Sequence, residues 1–193
     1  LHPVNSIVVR VLIFFSYVGL LAGIYAGQFV PIGGQRCQDV SHKYPSFLTP
    51  VDKTFAGASH LTMFLNGLIV FIVTLPFDRT GLDRSVVKII GTKLIFYHLL
   101  ELCWIYLFQH DELLFSLIVM FLMLGTLIVT YMGLEIGKRP GKLVSWAESC
   151  FIHIPLGVML AWISFLSMIS VASFCVKFEW YGFGMQAEWA IIM

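Results

Sequence analysis

His98, Glu101 and Trp104 recur every three residues in a stretch that is otherwise almost wholly apolar, so a helix sets them close together along one side. A carboxylate in such surroundings is costly and normally faces a bundle interior or a wet cavity, where it often marks a functional path. Two chemistries suit the pair. A His and a Glu at i, i+3 supply ligands for a carboxylate-bridged dimetal centre, but that centre needs further carboxylates on facing helices. Apart from Glu148, near the end of a span, no such carboxylate is present. A hydrogen-bonded or proton-sharing Glu101–His98 pair is therefore the better reading, with Lys93 a more distant donor two turns away.

The other polar residues at membrane depth carry weaker signals. Asn66 suits interhelical hydrogen bonding as well as ligand contact. His60 and His153 stand near the starts of two different apolar stretches that alternate in direction, which argues against a haem held between them and leaves single axial ligation of a tetrapyrrole open. Gly19, Gly23 and Gly27, spaced by four with Ala22 and Ala26 beside them, make one helical face nearly bare. Such a face packs closely against another backbone, either within the bundle, which is the favoured reading, or across a dimer or partner subunit. Cys37, Cys103, Cys150 and Cys175 show no CxxC spacing, so neither a zinc site nor a disulfide framework is indicated. No GxSxG, GxxxxGK[ST] or HExxH motif is present, and the chain is read as non-enzymatic.

The elements that must position these residues are read from composition. Of 193 residues 59% are hydrophobic and 12% charged, against roughly 25% charged in an ordinary soluble domain. The expected fold is all-α: a single helical membrane domain over 1–193 with five transmembrane helices at about 11–30, 55–77, 87–108, 113–134 and 147–175. Each is long enough to cross a hydrocarbon layer of about 30 Å. Ala187 to Met193 resemble the opening of a sixth helix. Pro155 is expected to kink the fifth helix, and the stretch from Pro31 to Lys53 reads as a loop on a membrane surface. Only Gln109 to Glu112 separate the third and fourth helices, which makes those two antiparallel neighbours.

A formal net charge of +1 indicates no nucleic-acid partner. The positions of the charges say more. On the side of the N-terminus lie Arg10, Arg79, Arg84, Lys88, Lys93, Lys138, Arg139 and Lys142; on the other lie Arg36, Lys43, Lys53 and Lys177. Eight against four puts the N-terminus on the cytoplasm-equivalent side of its membrane. The expected partners are membrane lipids together with other membrane subunits or a second copy of the chain.

The order of landmarks along the chain resembles the TspO/MBR family of tryptophan-rich sensory proteins, in particular its divergent TspO-like branch. Leu48, Thr49, Pro50 and Phe55 look like the family's Phe-Thr-Pro approach to the second helix. Glu101, Leu102, Cys103 and Trp104 stand where the branch tends to have Asn followed three residues later by Trp. Trp146, then Pro155, Leu156 and on to Ala161, Trp162, Ile163 and Ser164, match its Trp, Pro-Phe and Gly-Trp-Ile-Thr order. Trp180, Gly182, Gly184 and Trp189 look like its Trp-Gly segment. The departures are Lys53 and Ala58 at family Trp positions, and Glu101 at the Asn. The resemblance implies a helical bundle that binds or handles a lipophilic ligand (a tetrapyrrole, sterol or lipid) through Asn66, His98, Glu101, Trp104 and Trp162, in an organelle inner membrane or a plastid membrane. The alternative is a non-catalytic structural subunit of a larger respiratory or photosynthetic membrane complex.

Overall fold

Apolar runs of twenty residues or more have one stable form in lipid, the helix that satisfies its own backbone. The computed structural model describes residues 3–30, 35–44, 52–75, 84–134 and 146–179, and every regular element among them is helical. These are α1 (Pro3–Phe29), α2 (Cys37–Lys43), α3 (Asp52–Thr74), α4 (Arg84–Gln109) and α5 (Leu113–Gly133). The last, α6, begins at Trp146–Glu148, passes through a π-helical turn at Ser149–His153 and continues over Ile154–Lys177. Five of the six helices, all but α2, are long and apolar enough to cross a membrane. The segment proposed as a sixth span, and Trp180, Gly182, Gly184 and Trp189, lie outside the described residues, as do Leu48, Thr49 and Pro50.

The five spans close into a ring in the order α1, α4, α5, α6, α3, and the seams on either side of α3 are the thinnest. Ile13, Ile69, Leu94, Met120, Met123, Ile152 and Met159 meet at its centre. The outside carries Phe15, Phe64, Phe71, Phe115 and Met132. An apolar exterior of that extent is a liability in water and the expected solvated face in lipid.

Three local features depart from or refine the sequence reading. The stretch from Pro31 to Lys53 is not all loop, because Cys37–Lys43 forms a short helix. It starts at a capping box in which the Arg36 N–H donates to Asp39 at 2.9 Å, and it is anchored by the fully buried Val40. The turn between α4 and α5 has Asp111 at φ 62°, a left-handed conformation that Asp tolerates better than most residues. The N–H of Glu112 reaches the Leu107 carbonyl at 3.0 Å and that of Asp111 the Phe108 carbonyl at 3.1 Å, a Schellman cap that ends α4 and leads straight into α5. Finally, Pro155 sits in the first turn of Ile154–Lys177, immediately after the π turn. A proline lacks the N–H that would bond the carbonyl four residues back, and a widened turn accommodates that gap.

The left-handed Asp111 gathers three elements at one membrane face. Its carboxylate accepts from Lys43 Nζ at 2.7 Å and from the Tyr44 hydroxyl at 2.9 Å, both at the end of α2. Lys177, at the end of α6, is 3.1 Å from the other carboxylate oxygen and also donates to the Asp111 carbonyl. Lys43 and Lys177 thus share a face, as alternation of the spans requires. The four cysteines are free thiols.

Candidate functional site

A serine inside a lipid-depth helix normally turns its hydroxyl back onto its own backbone, and Ser16 does so, donating to the Ile13 carbonyl at 2.8 Å. Having given its proton there, Ser16 Oγ can only accept from His98 Nδ1, 2.8 Å away. That assigns the proton of neutral His98 to Nδ1 and leaves Nε2 as an acceptor. Asn66 Nδ2 lies 3.1 Å from Nε2 and completes the series. The donor order runs Asn66 to His98 to Ser16 to the Ile13 carbonyl, tying α3, α4 and α1 together in the bundle interior. His98 and Asn66 are both buried. Beside them Tyr17 donates to the Met63 carbonyl at 3.0 Å, and Gly67 leaves the space its hydroxyl occupies.

Glu101 takes a different direction from His98. Three residues on, it stands one helical turn beyond Tyr97 and faces a cavity that Tyr97 also lines, rather than the imidazole. That cavity is bounded by Leu20 of α1, by Thr62, Met63 and Asn66 of α3, by Tyr97 and Glu101 of α4, and by Met159 and Trp162 of α6. The space open to the centre of a water is about 20 Å³, enough for one water-sized group. Ligand pockets that engulf a drug-sized molecule run to roughly 300–1,000 Å³. On its α3–α6 wall Trp162 packs against Phe55, with ring centroids 5.5 Å apart.

Of the five residues singled out for ligand contact, Asn66, Glu101 and Trp162 line this cavity. His98 lies directly behind Asn66, and Trp104 stacks on Phe108 at 5.2 Å, away from the cavity wall. The expected Glu101–His98 pair is replaced by His98–Asn66, with Glu101 turned to the cavity beside Tyr97, because successive residues at i, i+3 diverge by about 60° around the helix axis and face different neighbours. Lys93 donates to the Val129 carbonyl at 3.2 Å, in the seam between α4 and α5. Gly23 faces Leu102 and Gly27 faces Gln109 and Ile105 across the α1–α4 seam, whereas Gly19 has open space before it. Sequence reasoning passed over Ser16, Tyr97 and Met159. A signal existed for two of them: Tyr97 precedes Glu101 by four, and Ser16 is an isolated hydroxyl in an apolar run.

The other two histidines read at membrane depth, His60 and His153, do not join the site. His60 is exposed, its Nδ1 2.5 Å from the Ala56 carbonyl. His153 lies 3.3 Å from Glu148 at the other membrane face. Among the described residues no three His, Cys, Asp or Glu side chains converge on a point that could hold a metal.

A family model described as TSPO-like protein matches residues 10–193. No curated protein and no solved structure matches the chain.

Proposed function

The chain belongs to the TSPO-like protein family and is an integral multi-pass membrane protein, and on that premise we propose that it binds or handles a lipophilic ligand inside the bundle. One observation carries the reading: a carboxylate, an amide and an indole converge on a small interior cavity at membrane depth, where polar side chains are expensive and tend to serve function. By its size the cavity suits the polar end of such a ligand, and the thin seams beside α3 suit its apolar body. A sterol or a single-chain lipid suits that arrangement better than an engulfed tetrapyrrole, which needs the helices to part. The role is non-enzymatic. The N-terminus faces the cytoplasm-equivalent side of an organelle or plastid membrane, in keeping with the eight-to-four distribution of Lys and Arg.

The protein in lipid nanodiscs, titrated separately with a porphyrin, a sterol and a lysophospholipid while thermal unfolding is followed, tests this reading. A saturable rise in unfolding temperature with at least one of them, weakened in Glu101→Gln, is expected; no shift with any of the three overturns it. For orientation, His42→Cys and Lys138→Cys in a cysteine-free background should react with an impermeant reagent from opposite sides of sealed membranes.

A second reading, the structural subunit of a larger complex, draws on the open space before Gly19 and the exposed Ala22 next to it. Native mass in mild detergent separates the two readings, since a subunit travels with partner chains.

A further inference from the structure

The donor order Asn66 to His98 to Ser16 has a consequence for what the cavity accepts. Asn66 has two N–H donors and one carbonyl oxygen. One N–H is committed to His98 Nε2, and Oδ1 lies at the same ring nitrogen, 3.2 Å away. On the cavity side Asn66 therefore keeps its second N–H donor. Glu101 stands on the wall beside Tyr97, and as the carboxylate it is acceptor-only. The cavity walls are otherwise Leu20, Met63, Met159 and Trp162, with the Thr62 hydroxyl already donating to the carbonyls of Ala58 and Ser59. Among the described residues no Lys, Arg or His lines it.

We propose that this cavity selects its ligand's head by hydrogen-bond polarity, taking a single uncharged hydroxyl that donates to Glu101 and accepts from Asn66. Glu101 and Asn66 are the specificity-determining residues, and His98, held by Ser16, is a positioning residue that keeps an Asn66 N–H available. The inference rests on the ligand-binding reading above and narrows it to lipophilic alcohols. A hydroxyl fills a water-sized space and satisfies both sides at once. A carboxylate head cannot donate, and it would face Glu101 with no cation beside it. An ammonium head cannot accept, which leaves the Asn66 N–H unpaired in a dry site. A ketone or ether leaves Glu101 without a donor. Each mismatch strands a buried polar group, and such stranding lowers affinity by roughly tenfold or more.

The experiment uses the whole chain in nanodiscs and three amphiphiles that share one dibrominated octadecyl chain and differ only in the head: alcohol, carboxylic acid and primary amine. Bromine quenches the fluorescence of any tryptophan it touches and the chain has five, so binding is read as the share of the quenching that is lost in Trp162→Phe, compared at equal mole fraction in the lipid. The alcohol should bind about tenfold or more tightly than the acid or the amine. The difference between the heads should vanish in Trp162→Phe, whose other tryptophans report only the surrounding lipid, and the alcohol's advantage should shrink toward unity in Glu101→Gln. Ser16→Ala should narrow the alcohol-to-acid ratio without weakening the acid, and Ser16→Thr should restore it; a merely structural role would weaken every head alike. Equal affinity for the three heads, or tighter binding of the acid or amine, overturns head selection and leaves ligand binding standing. An alcohol advantage that survives Trp162→Phe puts the ligand elsewhere and overturns the site. Quenching by all three heads that Trp162→Phe leaves unchanged and that does not differ between heads overturns the inference together with the reading it rests on.

Discussion

The chain of hydrogen bonds from Asn66 through His98 to Ser16 and the cluster around Asp111 both join three separate elements through polar side chains, yet they are opposite in kind. The first lies at membrane depth and uses neutral groups, each with its partner in place. The second sits at a membrane face and pairs a carboxylate with two lysines, of which Lys43 is 46% exposed at its side chain. Water explains the difference. In hydrocarbon a charge or an unpaired polar group has no solvent to fall back on, which favours neutral groups bonded to one another. At the surface an ion pair is cheap to form but competes with water and salt. Burial pushes the Asp111 carboxyl up, but hydrogen bonds from Lys43, Lys177 and Tyr44 together outweigh it and hold the group below the usual carboxylate range. The interior chain thus governs how α1, α3 and α4 sit around the cavity, while the surface cluster fastens α2 and the end of α6 to the α4–α5 turn.

The largest effect should be steric and sets a scale for both regions. Gly23→Leu drives a side chain into Leu102 across the α1–α4 seam and should cost about 1–3 kcal/mol, read from equilibrium unfolding in mixed micelles. An unchanged stability would mean that the seam is looser than the structure has it. His98→Leu comes next: it leaves Asn66 and Ser16 without their partner and should cost about 1–2 kcal/mol, equally at low and high salt. A loss that shrinks on adding salt would place the histidine in contact with water and erase the contrast between the regions.

Asp111→Asn should cost less than about 1 kcal/mol, and here the loss should diminish as salt is added. The same carboxyl has a pH signature. Because it titrates lower in the folded protein than in the unfolded chain, its contribution is full above the ordinary Asp value of about 4 and fades as pH falls through the lower folded value. The stability difference between the wild type and Asp111→Asn should close over that acid range, and a difference that stays constant down to the lowest pH would remove the carboxylate from the cluster. The smallest effect concerns Cys37, at the start of α2, where burial pushes the thiol up to about 11 against the opposing pull of a hydrogen bond with Gln109. Near pH 8 only about one thiol in a thousand is then thiolate, so alkylation should be slow and should accelerate tenfold per pH unit. Rapid labelling near neutral pH would show that α2 lifts away from Gln109.

The sequence alone determined the five spans to within a few residues at most ends, because spanning helices are set by the length of an apolar run. It also determined that α4 and α5 are antiparallel neighbours, since the short polar stretch Gln109 to Glu112 leaves no other geometry. Family membership was legible in widely spaced landmarks such as Pro155 and Trp162. The helical segment of α2 was not, because a seven-residue helix held by one buried Val40 leaves no periodic signal. Nor were the pairings of the polar residues. Helical spacing brings His98 and Glu101 near each other, but which neighbour each side chain meets depends on how the five spans rotate and pack, and that is decided by contacts among residues far apart in the chain, such as Ser16 and His98, 82 positions apart. Only the tertiary structure could give His98 to Asn66 and Ser16, turn Glu101 toward Tyr97 and Trp162, and leave Trp104 outside the cavity, because in a membrane every buried polar group must find whichever partner the packing brings within reach.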